Sequence, residues 1–101
     1  MPPQIDFHPL AADEAVAARA WYFEINASLA EAFEVELDRA IERIVLAPGR
    51  WARHLHGTRA FLLHRFPDFI VYRLVDDQIQ VIAVQHAKRR PGYWHSRIES
   101  D

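Results

Sequence analysis

With 101 residues, half of them apolar, the chain has material for one domain around one core and none for a separate cofactor domain. Its formal net charge is -2 and it contains no cysteine, which excludes disulfides, thiolate catalysis and thiolate metal sites. No stretch approaches the roughly 18 uninterrupted apolar residues that span a bilayer, and Met1-Pro2-Pro3-Gln4 has neither the basic nor the apolar part of a secretory signal. A cytoplasmic protein without membrane contact is therefore expected.

The net charge conceals an asymmetry. Residues 1–47 carry nine acids against three arginines, whereas residues 48–101 carry nine bases against five acids and hold five of the six histidines. Such a division suggests an acidic helical face and a separate basic working surface, although two ordinary solvated surfaces would give the same counts.

In chain order, Ile5-Asp6-Phe7-His8 alternates like a short strand and is stopped by Pro9. The Ala-rich stretch from Leu10 to Ile25 predicts a helix with Ala12, Val16, Ala20 and Phe23 on one face, Ala15 and Tyr22 beside them, and Trp21 and Ile25 widening the stripe. Asn26-Ala27 breaks it. Ser28 followed by Glu31 reads as a capping box opening a second helix, in which Leu29, Phe33, Leu37, Ala40, Ile41 and Ile44 recur at helical spacing. Pro48-Gly49 ends that helix, so the pair forms a hairpin joined by a turn of two or three residues.

The remainder reads as β. Arg59–Arg65, Phe69–Val75 and Gln78–Val84 are three strands, the last two separated by Asp76-Asp77, a two-residue hairpin signal. Trp51–His56 reads equally as an edge strand or a loop. Val81–Val84 is apolar on both sides, as in a central strand covered on both faces. The expected architecture is α+β over one domain, residues 1–101, in the order β-α-α-β-β-β(-β), with the helical hairpin packed on one face of an antiparallel-rich sheet. The C-terminal segment is expected to fold back over part of the other face.

Two groups of residues carry chemistry. His86-Ala-Lys88-Arg89-Arg90-Pro91-Gly92-Tyr93-Trp94-His95-Ser96-Arg97 mixes bases with aromatics, which suits an RNA or a protein partner, while Trp94 could equally cap the core. Arg59 and Arg65 share a face with Phe61 and Leu63 by period 2, and Arg73 lies on the next strand. An arginine on a largely apolar strand needs a partner, either a carboxylate of a bound protein or an internal one such as Asp68 or Asp77. His54-x-His56 lacks a third ligand at metal-binding spacing, and the three glycines form no phosphate-cradling loop. Neither a metal nor another cofactor is expected.

Arg65-Phe66-Pro67, an aliphatic strand bearing Tyr72-Arg73, Asp76-Asp77, Ile79–His86 and then Arg90-Pro91-Gly92-Tyr93-Trp94 and Arg97 together resemble the RelE/ParE toxin superfamily, and in particular its ParE-like plasmid-stabilisation proteins. The N-terminal strand, the helix with Trp21-Tyr22 and the second helix ending at Ile44-x-x-x-Pro48 extend the resemblance over nearly the whole chain. It implies a bacterial growth-inhibiting toxin neutralised by a cognate antitoxin. The ParE-like branch implies DNA gyrase as target, the RelE-like branch a ribosome-dependent cut in mRNA. The RelE-like pattern uses two lysines where this chain has Ala60 and Leu62, and an arginine where it has Phe69, although Arg89 falls near a later arginine and Tyr93 could stand for the C-terminal tyrosine. The residues expected to contact target or antitoxin are Arg59, Arg65, Arg73, Lys88, Arg89, Arg90, Tyr93, Trp94 and Arg97. A ribonuclease would instead draw on His64, His86, Arg89, Tyr93 and His95 for acid, base and phosphate contacts. A homodimer and a toxin–antitoxin hetero-oligomer both remain open.

Overall fold

The computed structural model describes residues 3–99; Met1-Pro2, where the reading of the N-terminus begins, and residues 100–101 lie outside them. Strand β1 (Gln4–Phe7) is followed by helices α1 (Pro9–Ile25) and α2 (Ala27–Leu46), a two-residue strand β2 (Ala52–Arg53) and a single 3-10 turn at Leu55–Gly57. Strands β3 (Arg59–Leu62), β4 (Asp68–Val75) and β5 (Gln78–His86) and a last short helix α3 (His95–Glu99) complete the chain. The sheet order is β1-β5-β4-β3-β2. All neighbours are antiparallel except β1 on β5, where Ile5 lies opposite Ile79 and Phe7 opposite Val81. The result is the expected α+β arrangement.

Local chemistry accounts for the boundaries. Pro9 occupies the first turn of α1, where its missing N–H would have been unsatisfied anyway, and the His8 imidazole accepts from Leu10 N–H at 3.1 Å. Asn26, extended at φ -168°, ends α1 and caps α2 by accepting from Leu29 N–H at 2.8 Å. The hairpin thus turns on one residue rather than two or three, and Ser28 and Glu31 lie inside α2 instead of forming a capping box. At Asp76 and Asp77, φ is 50° and 64°, the pair of left-handed residues that a two-residue hairpin with matching twist requires.

The helix-facing side of the sheet holds the main core, where Phe61, Ile70, Tyr72, Ile79 and Val81 meet Phe33, Leu37, Ala40 and Ile44 of α2. Tyr22, Phe33 and Phe66 form an aromatic cluster with ring centroids 4.8–5.3 Å apart. The α2 stripe is buried as its spacing predicts. That of α1 is not. Its buried residues are Ala11 and Tyr22, with Ala15 and Ala18 half-buried against the core, whereas Val16 is 71% exposed and Ala12, Ala20, Trp21, Phe23 and Ile25 face outward. Because α1 carries apolar residues on every side, periodicity could not choose a face. Alanines allow close approach to β5 and α2, so the small-residue face went inward.

Val81–Val84 of β5 are buried on both sides of the sheet, as their unbroken apolar run predicts, and the polar Gln85 is buried after them. The second face has its own small core of Val71, Ile82, Ala83 and Trp94, with Phe69, Tyr93 and Ile98 against it. The C-terminal segment makes this layer by folding back. A β-bulge at Val71/Tyr72 of the β4–β5 ladder puts Ala83 opposite Val71 and Val81 opposite Tyr72, leaving Ile82 as the extra residue.

Candidate functional site

The basic C-terminal segment is organised by one carboxylate. Glu14 projects from the small-residue face of α1 and accepts from Arg97 Nη1 at 2.8 Å, Arg97 Nη2 at 3.0 Å, Tyr93 Oη at 2.5 Å, Arg89 Nη1 at 3.1 Å and the Val84 N–H at 3.1 Å. Arg97 also donates to Ile82 O at 2.9 Å, and the Arg89 guanidinium lies 3.7 Å from the centroid of the Tyr93 ring. Burial alone would raise the Glu14 carboxyl, but the bonds from Arg97, Tyr93 and Val84 outweigh it and hold the group below the ordinary carboxylate value. The same contact pushes the Tyr93 phenol up, chiefly through burial and then through its bond to Glu14. Trp94 is fully buried, its indole N–H donating to Gln85 Oε1 at 2.9 Å. Of the two roles its sequence context allowed, the structure gives it the core.

The expected site residues are thereby divided. Tyr93, Trp94 and Arg97 fasten the tail across the second face, and the Arg97 side chain is only 10% exposed. Lys88, Arg89 and Arg90 form an exposed turn after β5. Arg65 bonds Glu36 through its backbone N–H at 3.0 Å and its Nε at 3.4 Å, Arg59 donates to Trp51 O at 2.7 Å, and Arg73 donates to Gln80 Oε1 at 2.7 Å. Asp68, one internal partner open to these arginines, is instead taken by the Tyr22 hydroxyl at 2.5 Å. Burial raises the Asp68 carboxyl, a shift that the Tyr22 bond opposes.

The candidate ribonuclease residues do not form one cluster. Tyr93 and Arg89 belong to the Glu14 site. His64 lies in the β3–β4 connection, while His86 ends β5 and accepts from Lys88 N–H at 3.0 Å. His95 stacks on His56 with ring centroids 3.6 Å apart and an interplanar angle of 7°. His54 lies beside Phe69 and Trp94, with its imidazole held below its ordinary pKa by burial and then by nearby His56. No group of three or more His, Asp or Glu side chains among the described residues is arranged to hold a metal ion.

Beside the Glu14 site, α1 and β5 enclose an open cavity of about 390 Å³ with Ala17, Ala18, Trp21 and Tyr22 on one wall and His86, Lys88 and Arg89 on the other. Glu14 and Asp68 also line it, so an apolar wall faces side chains of both charges. Sequence reasoning passed over Glu14 and Gln85, the two residues that orient this region. A signal for Glu14 was present, since helical spacing puts it, unlike the adjacent Asp13, on the face of Ala11, Ala15 and Ala18, the alanines that allow close packing.

Comparison with known proteins identifies the fold and the family. The family described as the ParE toxin of type II toxin-antitoxin system, parDE, matches residues 5–91. A solved chromosomal ParDE system from P. aeruginosa superimposes with a TM-score of 0.73 at 16% identity, covering 83% of this chain and 95% of that one. The RelBE2 toxin–antitoxin complex of Mycobacterium tuberculosis gives 0.54 at 17% identity, with 85% and 99% covered. A mutant of the E. coli toxin RelE in the free state gives 0.56 at 18% identity, with 87% and 86% covered. No curated protein sequence matches significantly. A family match over residues 5–91, on a fold shared with ParE and RelE, places this chain in the ParE toxin family of type II toxin–antitoxin systems.

Proposed function

We propose that the protein inhibits growth by binding a macromolecular target without cutting it, that DNA gyrase is this target, and that a cognate antitoxin neutralises it. One observation carries the choice between binding and cleavage. The two positions that the nuclease branch fills with lysines hold Ala60 and Leu62, while Tyr93 and Arg89, at the other end of the pattern, are engaged by Glu14. Cleaving RNA requires an activated 2′-hydroxyl, a neutralised phosphate and a protonated leaving oxygen. Methyl and isobutyl groups do none of these. A half-buried phenol bonded to a carboxylate, its ionisation pushed up, is a poor proton relay.

A net charge of -2 also favours a protein target, because contact with RNA is dominated by neutralisation of phosphates. The exposed Lys88, Arg89 and Arg90 turn and the cavity beside it are the contact surface in this reading, with Arg59, Arg65 and Arg73 supplying charge elsewhere. Partnership with an antitoxin is supported by the ParDE and RelBE2 structures, whose toxins are solved as parts of such systems.

Purified protein added to gyrase in a supercoiling assay is expected to block supercoiling, and Lys88→Ala/Arg90→Ala to weaken the block. Full supercoiling at a large molar excess of toxin refutes the gyrase assignment. New 5′ ends on translated messages after induction, dependent on His64 or His86, would establish the RelE-like mRNA endoribonuclease alternative instead.

A further inference from the structure

Basic residues crowd one flank of the molecule. Between positions 43 and 67 the chain carries five arginines and three histidines and no acid. This stretch runs from the last turn of α2 through β2 and β3, at one side of the sheet. Strand β2 covers only Arg59 and Ala60 of β3, so the rest of β3 is bare at that edge and side chains, not a further strand, border it.

Trp51 gathers these arginines on a fixed backbone. Its ring packs edge-on against Phe61 with centroids 4.6 Å apart, its indole N–H reaches Arg43 O at 3.4 Å, and its own carbonyl accepts from Arg59 Nη1 at 2.7 Å. The Arg50 guanidinium lies 5.2 Å from the centroid of the Trp51 ring. Arg43, Arg50 and Trp51 line one shallow hollow and Arg53 and Arg59 another, while Arg39, one turn of α2 before Arg43, joins Arg43 and Trp51 in a third. Arg39, Arg43, Arg50 and Arg53 are exposed, and among the described residues none of them has a carboxylate partner. Glu36, the one acid among the described residues that line these hollows, is engaged by Arg65.

We infer that Arg39, Arg43, Arg50 and Arg53 bind the phosphate backbone of duplex DNA without reading its sequence. The choice of DNA rests on the gyrase reading above, because duplex DNA is that enzyme's substrate, and it gives the toxin a second hold on the same target. Guanidinium forks match phosphate oxygens in pairs, and a row of them spread over α2, the following turn and β2 fits a repeating anion better than a single carboxylate. A single strand is a poorer fit. Binding one relies on exposed aromatic rings as stacking platforms, whereas Trp51 is occupied by Phe61 and Arg50. The net charge of -2 does not oppose the contact, since a phosphate meets only the charges within a screening length of about 8 Å at physiological salt. Net charge does limit long-range attraction, so the flank adds grip to DNA that gyrase already presents.

Fluorescence anisotropy of a short labelled duplex of random sequence, titrated with the full chain between about 50 and 200 mM salt, tests the surface without gyrase. Each neutralised phosphate contributes about 0.9 to the salt slope, so three or four arginines predict a slope of about -2.7 to -3.6. Arg43→Ala/Arg53→Ala should flatten it by about 1.8 and weaken binding at the lowest salt at least tenfold. Arg19→Ala, which removes a charge from α1, should change neither. If the first pair alters the circular dichroism, Arg39→Gln/Arg50→Gln takes its place. Absence of duplex binding, or a slope that survives both double substitutions, overturns the inference even where gyrase is blocked, and leaves the gyrase reading standing. Tighter binding of a single strand or of an RNA duplex of the same length overturns it in favour of those ligands. Displacement of the duplex by polyglutamate as readily as by unlabelled duplex overturns it in favour of an acidic protein segment. Arginine-dependent duplex binding with supercoiling undisturbed supports the surface and sinks the gyrase reading alone.

Discussion

Removing the carboxylate of Glu14 tests the claim that one side chain of α1 holds the C-terminal segment on the sheet. Glu14 and Arg97 are 14% and 10% exposed in their side chains, so neither has water to replace a lost partner. In Glu14→Ala, Arg97 keeps its bond to Ile82 O but loses both of its bonds to the Glu14 carboxylate, and the Tyr93 hydroxyl and the Val84 N–H lose this acceptor. Breaking a buried pair from one side costs about 3–5 kcal/mol. A domain of this size is stable by about 5–15 kcal/mol, so the loss is a large share of the total. Thermal unfolding followed by circular dichroism should show a midpoint lower by on the order of 12 °C or more. Arg97→Ala should cost a similar amount, and the double variant less than the sum, with a coupling of about 1.5 kcal/mol or more. The exposed Arg19–Glu34 pair, 45% and 55% exposed, provides the control, since Arg19→Ala should cost under about 1 kcal/mol. The reasoning fails if Glu14→Ala is no more harmful than Arg19→Ala, or if the two single effects simply add.

Two further outcomes follow from the same layer. Trp94→Ala empties the centre of the second core and leaves Gln85 without its indole donor; it should cost about 3–5 kcal/mol in urea unfolding and make the residues after Pro91 sensitive to protease. The His54 imidazole has its pKa depressed in the folded state by burial and by His56. Its contribution to stability is therefore intact above the unfolded value of about 6.5 and is lost as pH falls from there toward the folded value. His54→Phe keeps a ring against Phe69 and Trp94 and should flatten that acid limb; an unchanged slope below pH 6.5 would refute the assignment.

Much of the architecture was legible in the residues. The α2 stripe from Leu29 to Ile44 has one apolar side, and only one packing satisfies it. Asp76-Asp77 could only be a tight turn between two apolar runs, and the unbroken Val81–Val84 required cover on both faces. The order of these parts with Arg65-Phe66-Pro67 and Arg90-Pro91-Gly92-Tyr93-Trp94 was enough to suggest the family to which the chain belongs. These features are local, set by side-chain period, backbone preference and spacing, and need no knowledge of distant contacts.

What the tertiary structure alone decided depends on residues far apart in the chain. The inward face of α1 was chosen by how closely alanines approach β5, not by periodicity, since apolar residues occur on every side of that helix. Glu14 and Arg97 are separated by 83 positions; nothing near either one announces the other. Whether Tyr93, Trp94 and Arg97 face a partner or the protein's own sheet depended on how the tail folds back, and three of the nine expected contact residues proved to be fastened inward. The bare stretch of β3 exists because β2 stops after two residues, which becomes visible only once the strands are paired. Charge and apolarity in the sequence specify what a surface contains, but only the folded chain determines which of those groups are already satisfied.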